Sequence, residues 1–211
     1  MKKIIVLVLI LALLSLCVTL IACNEKPSLK DIDEFYESIT NAQSMEFKME
    51  IKSSEVNYII QMMFDGDKGY YYEKNAIVGQ QAIENSFYTF YEDDYLYTYT
   101  QNADGTWHSD GGHYAPENTN DAESSLNDIS FIDDLLNGKN YEYSEDYGLF
   151  LSRKDLSVSD TELELELRDI ELELKDGNCT IRSKAIMYGY SVDVEMYFKN
   201  VNSTTVVLPK I

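Results

Sequence analysis

The chain has 211 residues, with 17 Lys+Arg against 37 Asp+Glu and a formal net charge of −20. That balance excludes nucleic acid as a natural partner, because phosphate recognition needs a basic footprint, and it opposes docking to an anionic membrane through a basic patch. It does not imply disorder, since 45% hydrophobic and 12% aromatic content is too rich in core formers for a solvated polyanion.

Met1-Lys2-Lys3 is a basic start, and Ile4 to Ala22 follows without a charge. The run ends Leu20-Ile21-Ala22-Cys23. A basic start, an apolar run and small residues before a break describe an export signal. The Leu-Ile-Ala-Cys ending resembles the bacterial lipobox, in which a Cys is thioether-linked to diacylglycerol and becomes the mature N-terminus. The resemblance implies residues 1–22 as a lipoprotein signal peptide, Cys23 as the lipidation site, and an extracytoplasmic domain held at the cell membrane by its lipid. The alternative is a retained helix, since the apolar run extends about 28 Å, enough to span a bilayer. Both alternatives keep Lys2 and Lys3 inside and put everything after Cys23 outside. Loss of residues 1–22 removes two lysines and no acid, so the remainder is more acidic still. Attachment of such a domain must be covalent, and two acyl chains suffice where one is marginal. Cys17 leaves with the signal and Cys23 carries the lipid. Cys179 is then alone, so no intrachain disulfide forms and stability must come from a core.

Residues 23–27 are a short tether, reaching about 14 Å beyond the lipidated Cys when extended. Residues 28–211 read as a single β-rich domain. Ser28, with Asp31 three residues on, looks like a capping box, and Leu29, Ile32, Phe35, Tyr36 and Ile39 follow at helical spacing, predicting a helix over 29–40. Met45, Phe47, Met49 and Ile51 alternate with charged residues, a half-buried strand; Val56, Tyr58, Ile60, Met62 and Phe64 continue the pattern in a second. Residues 65–69 form a turn, and Tyr70-Tyr71-Tyr72 begins another strand. Residues 86–92 and 95–100 read as a hairpin around Asp93-Asp94. If Tyr91 faces Leu96, then Tyr88, Phe90, Tyr97 and Tyr99 share one face, and a one-residue slip would redistribute them. Asp104-Gly105 is the next turn, leading into Trp107. Residues 109–124 are rich in Gly, Asn, Asp and Ser and read as the longest loop. Leu126, Ile129, Ile132, Leu135 and Leu136 predict a helix closed by Asn137-Gly138. Strands follow at 140–144, 147–152, 161–167, 170–175, 179–187 and 190–198, with Asp176-Gly177 a hairpin turn. The apolar phase flips at Arg168-Asp169, which requires a bulge or a tight turn. The class is α+β, with antiparallel connections.

The order of lipobox, N-terminal helix, Met-rich alternating strands, Asp104-Gly105-x-Trp107 turn, short mid-chain helix, further strands and a Val-Val-Leu-Pro ending at 206–209 resembles the lipoprotein-carrier-like group, the LolA-like periplasmic carriers and LppX-like mycobacterial surface lipoproteins. The resemblance implies a strongly curved antiparallel β-sheet, a half-barrel, with the helices on its concave side and a cavity for a hydrophobic, lipid-like ligand. No functional residue is carried over from it.

Each candidate site has a structural rival. Trp107-His108-Ser109-Asp110-Gly111-Gly112-His113 holds both histidines and an Asp, but the spacing matches no zinc pattern, so a solvated loop is preferred and no metal is expected. Glu162, Glu164, Glu166, Glu171 and Glu173 alternate with Leu; strand geometry spreads such carboxylates too far apart to converge on calcium, so they read as the wet face of a sheet. Cys179 has no activating base nearby in sequence. No catalytic constellation and no cofactor motif is found. Met45, Phe47, Met49, Tyr58, Ile60, Met62 and Phe64 remain as ligand-lining candidates, against an ordinary core. The functional expectation is a non-catalytic lipoprotein that binds or carries a hydrophobic ligand. The alternative is a protein-interaction module that uses a Tyr-rich sheet or the 109–124 loop, Tyr being suited to interfaces. The location is tested by Cys23→Ser, which should lose its lipid and leave the membrane fraction; a variant of unchanged size that stays membrane-bound would establish the retained helix instead.

Overall fold

The computed structural model describes residues 26–102, 104–115, 132–159, 164–187 and 189–210. Among the described residues the order is α1 (Leu29–Thr40), β1 (Ser44–Lys52), β2 (Val56–Asp65), β3 (Lys68–Ile77), β4 (Ile83–Glu92), β5 (Tyr95–Gln101), β6 (Trp107–Tyr114), α2 (Ile132–Leu135), a 3-10 turn (Gly138–Asn140), β7 (Tyr141–Ser144), β8 (Leu149–Ser152), β9 (Leu156–Ser159), β10 (Glu164–Lys175), β11 (Asn178–Met187) and β12 (Tyr190–Lys199). The strands form one antiparallel sheet in the order β6-β5-β4-β3-β2-β1-β12-β11-β10-β8-β7, with β9 also paired to β10. The sheet is curved and does not close, an α+β half-barrel.

Helix α1 starts where the capping box predicts. The Asp31 carboxylate accepts the Ser28 backbone N–H at 2.7 Å, so an otherwise orphaned donor is satisfied. The helix buries Ile32, Phe35 and Ile39 against the sheet. There Phe35 meets Phe198 of β12 edge-on, with ring centroids 6.2 Å apart, and Phe47 of β1 lies 5.0 Å from the same Phe198 ring. Met45, Phe47, Met49 and Ile51 on β1 are buried beside Val192, Val194, Met196 and Phe198 on β12. The Leu-Glu alternation of β10 behaves likewise, with Leu165, Leu167, Ile170 and Leu172 buried and Glu166 and Glu171 exposed. The phase flip at Arg168-Asp169 is a bulge: the pairing with β11 shifts between Arg168 and Glu171, and Asp169 adopts φ 50°. Two expected strands are therefore one, and β9 is an addition that the sequence reading did not include.

The mid-chain region locks onto α1. Tyr36 donates to Asp133 at 2.7 Å, the buried Tyr141 hydroxyl donates to the Leu135 carbonyl at 2.6 Å, and the Gly138 N–H donates to Asp33 at 2.9 Å. Of the helix predicted from Leu126 to Leu136, residues 132–136 lie within the described residues; Ile132–Leu135 is helical and Leu136 is a turn residue. Gly138 is needed for a reason other than the left-handed helix end its position suggests. It opens the 3-10 turn, and a Cβ there would collide with the Leu29 carbonyl oxygen in the first turn of α1. Since backbone cannot yield as a flexible side chain can, Gly138→Ala should lower stability by about 1–3 kcal/mol. Urea unfolding would read this as a lowered midpoint at unchanged slope; an unchanged midpoint would mean that α1 and the turn separate at little cost.

Candidate functional site

Strand pairing decides which side chains meet. From β1 through β12, β11 and β10, the face away from α1 is charged. Arg182 bridges Glu195 at 2.9 Å and Glu173 at 3.3 Å, Lys184 pairs with Asp193, and Glu50 takes Lys48 and Lys52. Of the five glutamates considered for calcium, Glu171 is exposed, Glu166 pairs with Arg168 at 2.7 Å and Glu173 is engaged by Arg182; the side chains of Glu162 and Glu164 lie outside the described residues. Among the described residues no group of three His, Cys, Asp or Glu side chains is placed to hold a metal. Cys179 is buried, and burial pushes its thiol far above the ordinary range, away from the thiolate that nucleophilic chemistry needs.

Met45, Phe47, Met49, Met62 and Phe64 are all buried in the core on the α1 side, whereas Tyr58 and Ile60 are half-buried at its margin. The structure thus brings the seven together on one face.

Strands β3 to β6 differ from the rest. Asp93 and Asp94 both adopt left-handed φ (50° and 64°), closing a two-residue hairpin that places Tyr91 opposite Leu96. With that register, Tyr88, Phe90, Tyr97 and Tyr99 share a face. Pairing with β3 and β6 extends it to Tyr70, Tyr72 and Trp107. It is the outer face, continuous through Met63 with Glu46 of β1. The rings interact across strands: Tyr70 and Tyr88 have centroids 4.7 Å apart, Tyr88 and Trp107 5.0 Å, and Phe90 and Tyr97 6.3 Å. Tyr97 also lies over Gly112, where a Cβ would come within 2.7 Å of its ring. These aromatics remain half-exposed, in contrast to the core rings.

The expected loop over 109–124 is corrected here. Trp107–Tyr114 is the edge strand β6, paired with β5 through a bulge at Thr98/Tyr99 with Gly111 at φ 86°; residues 116–124 lie outside the described residues. Gly-rich composition suggested a loop, but the Tyr97 ring of β5 covers Gly112 and makes up for its missing side chain, while Gly111 takes the left-handed backbone of the bulge. On this strand His108 Nε2 lies 2.9 Å from Asp110, and Thr100 donates to the same carboxylate. All three are at the sheet margin.

A groove of about 880 Å³ crosses β3, β4 and β5 to the start of β6. Its walls include Tyr70, Tyr72, Tyr88 and Trp107, with Glu84, Ser86 and Gln101 among them. Tyr72 donates to Glu84 at 3.1 Å, Lys74 lies 3.7 Å from the same carboxylate, and Ser86 contacts Gln101 at 3.1 Å. None of the seven sequence-nominated residues lines it. The Tyr-rich composition pointed to this surface, but only the register assembles it. The arrangement can grip a ligand through ring faces and a few polar groups. The sequence matches no protein-family model, and it matches no curated protein.

Tyrosine placement also has a pH consequence. Burial, and then the neighbouring Tyr88 and Tyr72, raise the Tyr70 hydroxyl above its ordinary value. Burial followed by the bond to Glu84 raises Tyr72. On the charged part of the same face, burial and the adjacent Glu195 carboxylate push Tyr197 up to about 12 from 10.0. Between those values the folded chain keeps a proton that the unfolded chain has lost, so stability must fall as pH rises through this window. The urea midpoint should be lower at pH 11.5 than at pH 9, and Tyr197→Phe should reduce the difference; an equal loss in the variant would refute the assignment.

Proposed function

We propose that the protein is a non-catalytic binding lipoprotein, held at the extracytoplasmic face of the membrane through Cys23, and that it recognises its ligand with the aromatic outer face of strands β3 to β6. One observation carries the reading: Tyr70, Tyr88 and Trp107 pack ring against ring across the sheet, tilted and edge-on, yet stay half-exposed, around a groove of about 880 Å³. Ordinary outer sheet faces carry charge, as β10 to β12 do here, because half-exposed rings forgo burial that a core would give them. Clustered accessible aromatics supply contact area at low entropic cost, which is the economy of a recognition surface. The groove volume lies within the range of small-molecule sites, about 300–1,000 Å³.

A second reading, carriage of a hydrophobic ligand on the inner face, draws on Tyr58 and Ile60, which are only half-buried while their neighbours Met62 and Phe64 on β2 are buried. No helix among the described residues is long and apolar enough to cross a membrane.

The two separate in one pair of measurements. A fragment screen on the protein, mapped by NMR shifts, should place its hits on Tyr70, Tyr88 and Trp107, and a fluorescent fatty acid should not bind saturably. Hits confined to the Met45–Phe64 face, together with saturable fatty-acid binding, would overturn the aromatic-face reading in favour of the carrier.

A further inference from the structure

We propose that the groove across β3–β6 takes an organic cation of the quaternary-ammonium class, an inference that rests on the aromatic face being the recognition surface. Glu84 is the acid whose side chain shares the groove's face, and among the described residues no Lys or Arg lines the groove, Lys74 pairing with Glu84 at its rim. The faces of Tyr and Trp rings carry negative potential and attract cations, Trp most strongly. The chain's net charge of −20 adds a long-range field of the same sign, which concentrates cations and repels anions at such a concave surface.

The hydrogen bonding narrows the class further. Glu84 already accepts the Tyr72 hydroxyl at 3.1 Å and has Lys74 3.7 Å away. Ser86 and Gln101 are turned toward each other at 3.1 Å. A primary ammonium brings three donors and a tight hydration shell, and would have to break these contacts to replace its waters. A quaternary ammonium has no donor to satisfy and is weakly hydrated, so it needs only ring faces, which this groove supplies with its internal contacts intact, and the chain's acidic field. Free choline and a phosphocholine lipid headgroup share that chemistry.

Trp107 is the chain's single tryptophan and lines the groove, so its fluorescence reports directly. The full chain in a sugar-headgroup detergent is titrated with choline and with 3,3-dimethylbutan-1-ol, in which carbon replaces the charged nitrogen. Choline should give a saturable change, and the alcohol should bind at least about tenfold more weakly. By calorimetry, Tyr88→Leu should weaken choline about tenfold and the exposed Glu84→Gln about threefold, with circular dichroism unchanged. Displacement of choline by phosphatidylcholine vesicles and not by phosphatidylglycerol vesicles identifies a lipid headgroup as the source; without displacement the source is the free cation, and either result keeps the proposal. Equal binding of the two probes overturns the cation inference and leaves the aromatic surface standing as an apolar one. No saturable response to either probe also overturns it, and the aromatic-face reading is then decided by its own fragment map.

Discussion

The packing of Phe35 and Phe47 on Phe198 decides which side of the sheet is inside. Once α1 lies on β1 and β12, side-chain alternation assigns every other residue of every paired strand to the same inner or outer face, because a side chain in a strand points opposite to its neighbours. The assignment propagates through eleven strands in one path. It buries Met49 and Leu172 and exposes Glu171 without any further instruction. Loss of the Phe198 ring would remove the contact shared by α1 and β1, in the range of about 3–5 kcal/mol typical of a buried Phe truncated to Ala.

A helix of 12 residues covers only part of a sheet this wide. Around β1, β10, β11 and β12 the two faces are strongly unlike, aliphatic within and ion-paired without. Surface ion pairs such as Arg182–Glu195 add little stability singly; their value is to keep that outer face wet and to discourage sheet-to-sheet association. On β3 to β6 the division blurs. Inside, Tyr71 and Phe87 stack at 4.9 Å yet stay half-exposed, and outside the aromatic row replaces the charges. The core strands thereby supply the folding free energy, and the outer strands present rings that the core does not need.

Much of the fold was legible in the sequence, for identifiable reasons. The period-two alternation of Met45–Ile51 with Glu and Lys has one low-energy reading, a strand with one wet face. Ser28 with Asp31 marks the start of α1 because backbone donors need a partner there. The Asp-Asp and Asp-Gly turns are local, since residues that tolerate left-handed φ announce them. The misses were non-local. Trp107–Tyr114 looked like a loop because its glycines have poor strand propensity, and it became a strand because β5 offers both a ladder and a ring, Tyr97, to cover Gly112. Gly138 looked like a helix end and proved to be a point of close approach to Leu29, a residue more than one hundred positions away.

By itself the sequence determined the acid-rich wet face, the α+β class, the position of α1 and most strand spans, because each depends on spacing within a few residues. It also carried the lipobox resemblance at Cys23. Only the tertiary structure decided where the tyrosines gather. Tyr70, Tyr88 and Trp107 lie on three different strands, and a one-residue slip of any of them would turn its rings to the other face. Pairing register is a property of two strands at once, so no single stretch of sequence contains it, and the groove exists only because three registers agree.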